Sequence, residues 1–167
     1  MASSRTRRRA APGAGRPMMP KTYGVAGRRA AVLPWAWARR RLARAHNYWL
    51  STTRPDGRPH AMPIWGLWLD ETFVFSTGRR SRKGRNLSRR AQAVVHLESG
   101  DQTVILEGRV REVRDATVLT RYAAGYYAKY RFRPEAEPAS ITYALDARVG
   151  FAWRERDFPR SATRFAF

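Results

Sequence analysis

The sequence lacks cysteine entirely, since none of its 167 residues is one. Disulfide bridges, thiolate metal sites and a cysteine nucleophile are therefore excluded. The three histidines, His46, His60 and His96, are far apart in the chain and do not have the spacing of metal ligands. No Gly-x-Ser-x-Gly motif is present, so no local pattern indicates a serine hydrolase. We accordingly predict no metal site and assign no catalytic constellation of protein side chains.

Acidic residues are missing from residues 1–55, and the first carboxylate of the chain is Asp56. Residues 1–55 contain 13 Arg and Lys, whereas residues 56–167 contain 20 against 13 Asp and Glu. Most of the net charge of +20 therefore lies near the N-terminus. Such a charge is typical of nucleic-acid-binding proteins. Its distribution, however, favours only non-specific contact with nucleic acid through the N-terminal segment.

Residues 1–30 are rich in Arg, Gly, Ala and Pro and show no apolar period, so we predict a disordered basic tail. A start site assigned too early is the alternative, with Met18 or Met19 as the true start. Residues 31–167 suit a single domain with a substantial core. No apolar run approaches the roughly 20 residues that cross a bilayer. We expect a cytoplasmic protein that does not associate with a membrane.

Apolar periodicity predicts two longer helices in a chain that otherwise alternates with a period of two. The first helix covers Trp35–His46, and the second runs from a cap at Asp115 to about Tyr130. Turn residues recur about every 8–12 residues between short strands, which is typical of a mainly β barrel or sandwich. The predicted strands are Tyr48–Thr53, His60–Leu69, Thr72–Ser76, Gln92–Glu98, Thr103–Val113, Ile141–Leu145, Val149–Arg154 and Thr163–Phe167.

A dense basic run occupies residues 79–90, where seven of twelve residues are Arg or Lys. It follows a predicted strand and leads into a short predicted helix, residues 81–90, whose N-cap is Ser81. Arg82 and Lys83 fall in the first turn, where cations oppose the helix dipole and free N–H groups favour an anion. The run has no aromatic residue, unlike surfaces that stack bases. A bound phosphate and a plain exposed cationic helix are the two interpretations that this pattern leaves open.

Six blocks in order carry a resemblance that covers residues 35–167. They are YWLSTTRPDGRPHAMPIWGLW, FVFSTGRRSRKGRNL, VVHLESGD, VILEGRV, FAWRERDFPR and SATRFAF. Their order resembles the pyridoxamine 5′-phosphate oxidase-like family of flavin-binding split barrels, and more narrowly its actinobacterial branch that uses the deazaflavin coenzyme F-420. The resemblance implies an antiparallel, Greek-key-like split β-barrel with peripheral helices, which pairs as a homodimer with cofactor sites at the interface.

The resemblance also implies a set of cofactor-binding positions. One strand lays its backbone along the flavin ring, the next strand end touches the ribityl-phosphate arm, the basic run grips the phosphate, and two late positions close the site, often from the partner subunit. Those positions are His60, Ala61, Met62, Pro63, Ile64, Ser76, Thr77, Ser81, Arg82, Lys83, Asn86, Trp153 and Arg164. The remaining cations Arg79, Arg80, Arg85, Arg89 and Arg90 either surround the pocket mouth or are solvated.

The chemistry implied is hydride transfer by the cofactor, to or from a small apolar or conjugated substrate. His60 is a weak candidate for a proton donor, and a packing role is the alternative. Five aromatic residues could form the wall of an apolar substrate pocket, namely Trp65, Trp68, Trp153, Tyr126 and Tyr127. The alternative is packing in the core, which we expect for most aromatic residues of the chain. The alternative to coenzyme F-420 is FMN, in an amine oxidase or flavin reductase. The alternative from another class is a basic nucleic-acid-binding module.

Overall fold

The computed structural model describes residues 10–25, 27, 31–133 and 140–167. The nine strands in these ranges form one antiparallel sheet, which confirms the mainly β prediction. Its order is β1-β9-β8-β7-β6-β2-β3, with β5 pairing with β8 and β4 pairing with β5. The strands are Gly13–Gly15 (β1), Tyr48–Thr53 (β2), Pro59–Ile64 (β3), Leu67–Leu69 (β4), Thr72–Gly78 (β5), Gln92–Leu97 (β6), Gln102–Glu112 (β7), Ser140–Arg154 (β8) and Thr163–Ala166 (β9).

Both predicted helix caps are present, because each relies only on a local hydrogen bond. The Ser81 hydroxyl accepts from the Gly84 N–H at 3.0 Å, and Asp115 accepts from the Thr117 N–H at 2.8 Å. The α-helices are Trp35–Arg44 (α1), Arg82–Arg89 (α2), Ala116–Tyr130 (α3) and Phe158–Ser161 (α4), and short 3-10 turns cover Lys21–Tyr23 and Glu155–Asp157. None of the helices in the described ranges is both long and apolar enough to cross a bilayer.

The predicted strand His60–Leu69 is wrong as one unit, because the chain leaves the sheet at Trp65 and Gly66. Gly66 passes so close to the next strand that a Cβ there would lie 2.3 Å from the Phe73 ring. The result is a separate β3 that pairs only with β2 and forms an edge of the sheet. Pro63, which lacks an N–H, suits that edge.

Two predicted strands, Ile141–Leu145 and Val149–Arg154, are one continuous strand in the structure. The irregularity expected between them lies instead in the neighbouring strand β7, as a register shift between Glu107 and Gly108. A Cβ at Gly108 would lie 2.2 Å from the Asp146 carbonyl oxygen, so this close approach requires glycine. The bulge lets β8 continue without a break.

Part of the predicted disordered tail belongs to the sheet, which corrects that prediction for residues 13–15. Gly13–Gly15 pairs with β9 in antiparallel register. Arg16 fixes the segment further by donating from Nη1 to the Ala162 carbonyl at 2.9 Å. The composition of this segment gave no apolar period, but the pairing uses backbone groups of an otherwise open sheet edge. Residues 1–9, 26 and 28–30 lie outside the described residues.

Two cores lie on opposite sides of strand β5. Phe73 and Phe75 point into the main barrel core, whereas Val74 points into a smaller core beneath α3 that includes Tyr122 and Tyr130. Successive side chains of a strand point to opposite faces of the sheet, so the residues of β5 alternate between these two cores. The two sides of β5 therefore belong to different environments, which decides where the polar residues at its end can act.

Lys129 joins α3 to the barrel through a half-buried ammonium group. Its Nζ donates to the Tyr48 hydroxyl and to the Gly66 carbonyl, both at 3.0 Å. No carboxylate of the described chain pairs with it, and burial lowers the pKa of Lys129 from its ordinary 10.5 to about 8. The folded protein therefore releases this proton well before the unfolded chain does.

We expect the Lys129→Met variant to reveal this proton release as a pH dependence of stability. Between about pH 8 and 10 the unfolded chain holds the proton that folded Lys129 has lost, so wild-type stability should rise with pH relative to the variant. Urea unfolding of both proteins at pH 7 and pH 9.5 measures the difference. Lys21→Met removes an exposed lysine and is the charge control. A difference between wild type and Lys129→Met that is the same at both pH values would contradict the assignment.

Candidate cofactor site

Helix α2 begins directly against the end of strand β5. The Ser81 N–H donates to the Gly78 carbonyl at 3.1 Å, and the Ser81 and Thr77 hydroxyls share a hydrogen bond of 3.0 Å. A Cβ at Gly84 would lie only 2.3 Å from the Gly78 carbonyl oxygen. The glycine therefore allows the helix to approach the strand end, and this approach places two hydroxyl groups at the first helical turn.

Arg82 and Lys83 bring two cations to the same turn without a compensating carboxylate among the described residues. By contrast, Arg79, just before the helix, pairs with Glu112 at 3.3 Å. Arg82 is exposed and Lys83 is half-buried. The positive end of the helix dipole adds to both charges. The first turn of α2 is consequently an electropositive position that an anion would stabilise.

A polar connection runs from this helix to the edge strand β3. Fully buried Asn86 of α2 donates from Nδ2 to the Thr52 hydroxyl at 2.9 Å. Thr52 in turn lies 3.4 Å from Nδ1 of His60 on β3. Burial, followed by the charges of Arg54, Lys83 and Arg82, lowers the pKa of His60. The structure thus brings His60, Asn86 and the basic turn together, and this environment favours the neutral imidazole.

Arg54 is a site residue that the sequence analysis missed. It follows strand β2, and its charge acts on His60 together with those of Lys83 and Arg82. Its Nε is buried and has no hydrogen-bond partner within the described ranges. In the sequence, Arg54 stands directly before Pro55-Asp56-Gly57, a segment typical of a turn. The signal that could have identified Arg54 is its position directly after a strand, with a second cluster of cations, the basic run, elsewhere in the chain.

Strand β3 offers an open edge beside these groups. Ala61, Met62 and Pro63 are exposed, whereas Ile64 is buried in the barrel core. Since β3 pairs only with β2, the backbone groups of its other edge are not used by the sheet. A planar ring could lie along this edge while an attached phosphate reached α2.

The structure separates Ser76 from Thr77, although the resemblance gave both the same role. Thr77 bonds to Ser81 at the start of α2. Ser76 points to the other side of β5, where its hydroxyl lies 2.8 Å from that of Thr142. The two predicted closing residues are also remote within one chain. Trp153 packs on Phe158, and Arg164 lies on β9, which is far from β3 in the strand order.

Of the proposed aromatic wall, Trp65 and Tyr126 cluster at the end of β3. Trp65 is 40% exposed and stacks on Tyr130 with a centroid distance of 4.6 Å, and Tyr126 is 6.2 Å away. Tyr127 is exposed on α3, the helix that also carries Tyr126, and the guanidinium of Arg133 lies over its ring.

The other two aromatic candidates have packing contacts elsewhere. Trp68 packs edge-on against Trp35 on the main core. Trp153 packs edge-on against Phe158, with ring centroids 5.7 Å apart. Only part of the predicted wall therefore lies beside the candidate ring position.

Comparison with known proteins gives two kinds of likeness. The pyridoxamine 5′-phosphate oxidase family profile matches residues 37–154, which is more than half of the chain. A pyridoxine/pyridoxamine 5′-phosphate oxidase from Azorhizobium caulinodans is 34% identical over 110 residues, or 60% of this chain and 50% of that protein. This chain therefore spans about half the length of that curated relative.

Solved structures share the fold at lower identity. A conserved hypothetical protein from Mycobacterium tuberculosis has a TM-score of 0.67 at 23% identity, over 79% of this chain and 91% of its own. An F-420 reductase has a TM-score of 0.54 at 20% identity, over 65% and 91%. A pyridoxamine 5′-phosphate oxidase-related, FMN-binding protein from Nostoc punctiforme has a TM-score of 0.56 at 16% identity, over 80% and 94%. With the profile match, these findings confirm the predicted split barrel and show that the chain belongs to the pyridoxamine 5′-phosphate oxidase family.

Proposed function

We propose that this member of a flavin-binding oxidoreductase family binds coenzyme F-420 and transfers hydride to or from a small apolar or conjugated substrate. The observation that carries the proposal is the unpaired basic turn of α2 beside His60 and Arg54. Arg54 Nε and Asn86 Oδ1 are both buried and lack hydrogen-bond partners in the described part of the chain. A ribityl-phosphate arm supplies acceptor oxygens for the guanidinium and hydroxyl groups for the amide oxygen, so these residues fit the group.

The chain's own residues would bind and orient the cofactor. Arg82, Lys83 and Arg54 would hold the phosphate by charge-assisted hydrogen bonds, and Ser81 would add a hydroxyl. The open edge of β3 would position the ring. A flavin or deazaflavin supplies the hydride-carrying centre when bound. Burial and the nearby cations lower the pKa of His60, and its neutral ring could donate a hydrogen bond from its N–H.

The choice of coenzyme F-420 over FMN rests on the cations around the turn. Arg80 and Arg85, which flank the first turn of α2, are exposed, and within the described ranges no carboxylate pairs with them. An anionic tail beyond the phosphate would find partners there, and coenzyme F-420 has such a tail whereas FMN does not. The same proposal has the chain act in the cytoplasm as a homodimer, in which Trp153 and Arg164 close the site of the other copy.

Parallel titrations of the full chain with coenzyme F-420 and FMN test the proposal. Trp65 lies beside the candidate ring position, so we expect quenching of tryptophan fluorescence and micromolar affinity for the deazaflavin, with FMN much weaker. The reverse order would assign the chain to FMN. Binding of neither, with DNA binding that weakens steeply as salt rises, would overturn the proposal in favour of nucleic-acid contact.

A further inference from the structure

A second cavity lies between strand β5 and helix α3, and Thr77 and Gly78 at the end of β5 also line it. It has a volume of about 750 Å³ and opens to solvent between α3 and the ends of β5 and β8. Its apolar walls include Leu119, Tyr126 and Phe132. Ser76, Thr142 and Tyr122 place hydroxyl groups along the same cavity. It is therefore an apolar space with a small group of convergent polar atoms, which is the usual composition of a small-molecule site.

The Tyr122 hydroxyl is the polar group with unused capacity. The side chain is only 2% exposed, and its oxygen is buried. It lies near Ser76, yet it makes no hydrogen bond of normal geometry with any described residue. Ser76 and Thr142 instead bond to each other at 2.8 Å. A buried hydroxyl without a partner is unfavourable, so this atom favours an external hydrogen-bonding group.

Burial raises the pKa of Tyr122, so the hydroxyl stays protonated and can donate. The charged residues that line the cavity are Glu112 and Arg114, which pair with each other, and Glu112 also pairs with Arg79. No charged side chain is part of the cluster of hydroxyls inside. These features select a neutral ligand with an acceptor oxygen.

We propose that this cavity binds a neutral ring-containing molecule whose carbonyl oxygen accepts a hydrogen bond from Tyr122. Its rings would contact Tyr126 and Phe132. The proposal goes beyond the cofactor site, because the donating hydroxyl belongs to Tyr122 of α3 and not to the basic turn of α2. It does not depend on which flavin the chain binds.

The probe for this cavity is 6-propionyl-2-dimethylaminonaphthalene, a neutral naphthyl ketone whose emission shifts to the blue in apolar surroundings. We expect saturable binding to the full chain with a blue shift. Tyr122→Phe removes only the unpaired hydroxyl, so the fold should be unchanged and affinity should fall about 2- to 10-fold, as for one lost neutral hydrogen bond.

Two adjacent alanines of α3 provide a matched pair of blocking variants. Ala123 lines the cavity and Ala124 does not, although both are exposed. We expect Ala123→Trp to abolish probe binding and Ala124→Trp to retain it. Equal binding by these two variants, equal affinity in Tyr122→Phe, or no saturable binding by the wild type would each overturn the proposal. Lys83→Ala should bind the probe normally, so failure at the cofactor site is distinguishable from failure here.

Discussion

Lys83→Ala is expected to weaken binding of the flavin-type cofactor by about 1–3 kcal/mol, the range for a lost charge-assisted contact. At about 1.4 kcal/mol per decade, this corresponds to roughly a 5- to 150-fold loss of affinity. The ammonium group lies in the first turn of α2, near His60, and no described carboxylate pairs with it. Its removal should therefore take away a phosphate contact without breaking an internal ion pair.

The same variant should not lose stability in the absence of cofactor. A cation near a helix N-terminus opposes the dipole, typically by about 0.3–1 kcal/mol, so Lys83→Ala should leave the melting temperature unchanged or slightly raised. Affinity and stability are thus expected to change in opposite directions. Fluorescence titration gives the first quantity, and a thermal melt without cofactor gives the second.

Arg89→Ala is the matched control for this prediction. Arg89 lies in the last turn of the same helix, is exposed, and is favourably placed relative to the dipole. Its removal should cost a little stability and leave cofactor affinity nearly unchanged. If Lys83→Ala and Arg89→Ala had equal effects on affinity, the cations would act only through general charge, and a phosphate held at the first turn would be refuted.

Features that depend on neighbouring residues could be predicted from the sequence. The cap at Ser81 needs only the N–H three residues later, and the cap at Asp115 has the same local character. The order strand, basic turn, helix was also correct. Strand alternation also predicts that the side chains of Ser76 and Thr77 point to opposite sides of β5. The family resemblance gave both residues one role and therefore did not indicate this difference.

Features that depend on distant backbone could not be predicted in this way. Gly13–Gly15 becomes a strand only because β9 presents an open edge more than 140 residues later. Arg54 belongs to the site because β2, β3 and α2 converge on His60. Neither the open edge of β9 nor the convergence on His60 can be predicted from composition, because both arise from contacts between segments distant in the chain.

Gly84→Ala is expected to destabilise the fold by about 1–3 kcal/mol, the usual cost of forcing extra volume into a closely packed position. The added Cβ would lie 2.3 Å from the Gly78 carbonyl oxygen and 2.8 Å from that of Arg79. Both are backbone atoms, so the helix would have to move away from the strand end. That movement would disturb the Ser81 cap and displace Lys83, so cofactor affinity should fall as well.

The sign of this effect separates packing from intrinsic helix propensity. Alanine is favoured over glycine within a helix by about 1 kcal/mol, so Gly84→Ala would stabilise α2 if propensity alone decided. Gly100→Ala is the control, because no atom lies within 4 Å of its added Cβ and its backbone is not left-handed. It should change stability by no more than about 0.5 kcal/mol. Urea unfolding of wild type, Gly84→Ala and Gly100→Ala measures these stabilities. If Gly84→Ala were as stable as wild type or more stable, α2 would not need its close approach to β5. The contact proposed to position the basic turn would then have no structural basis.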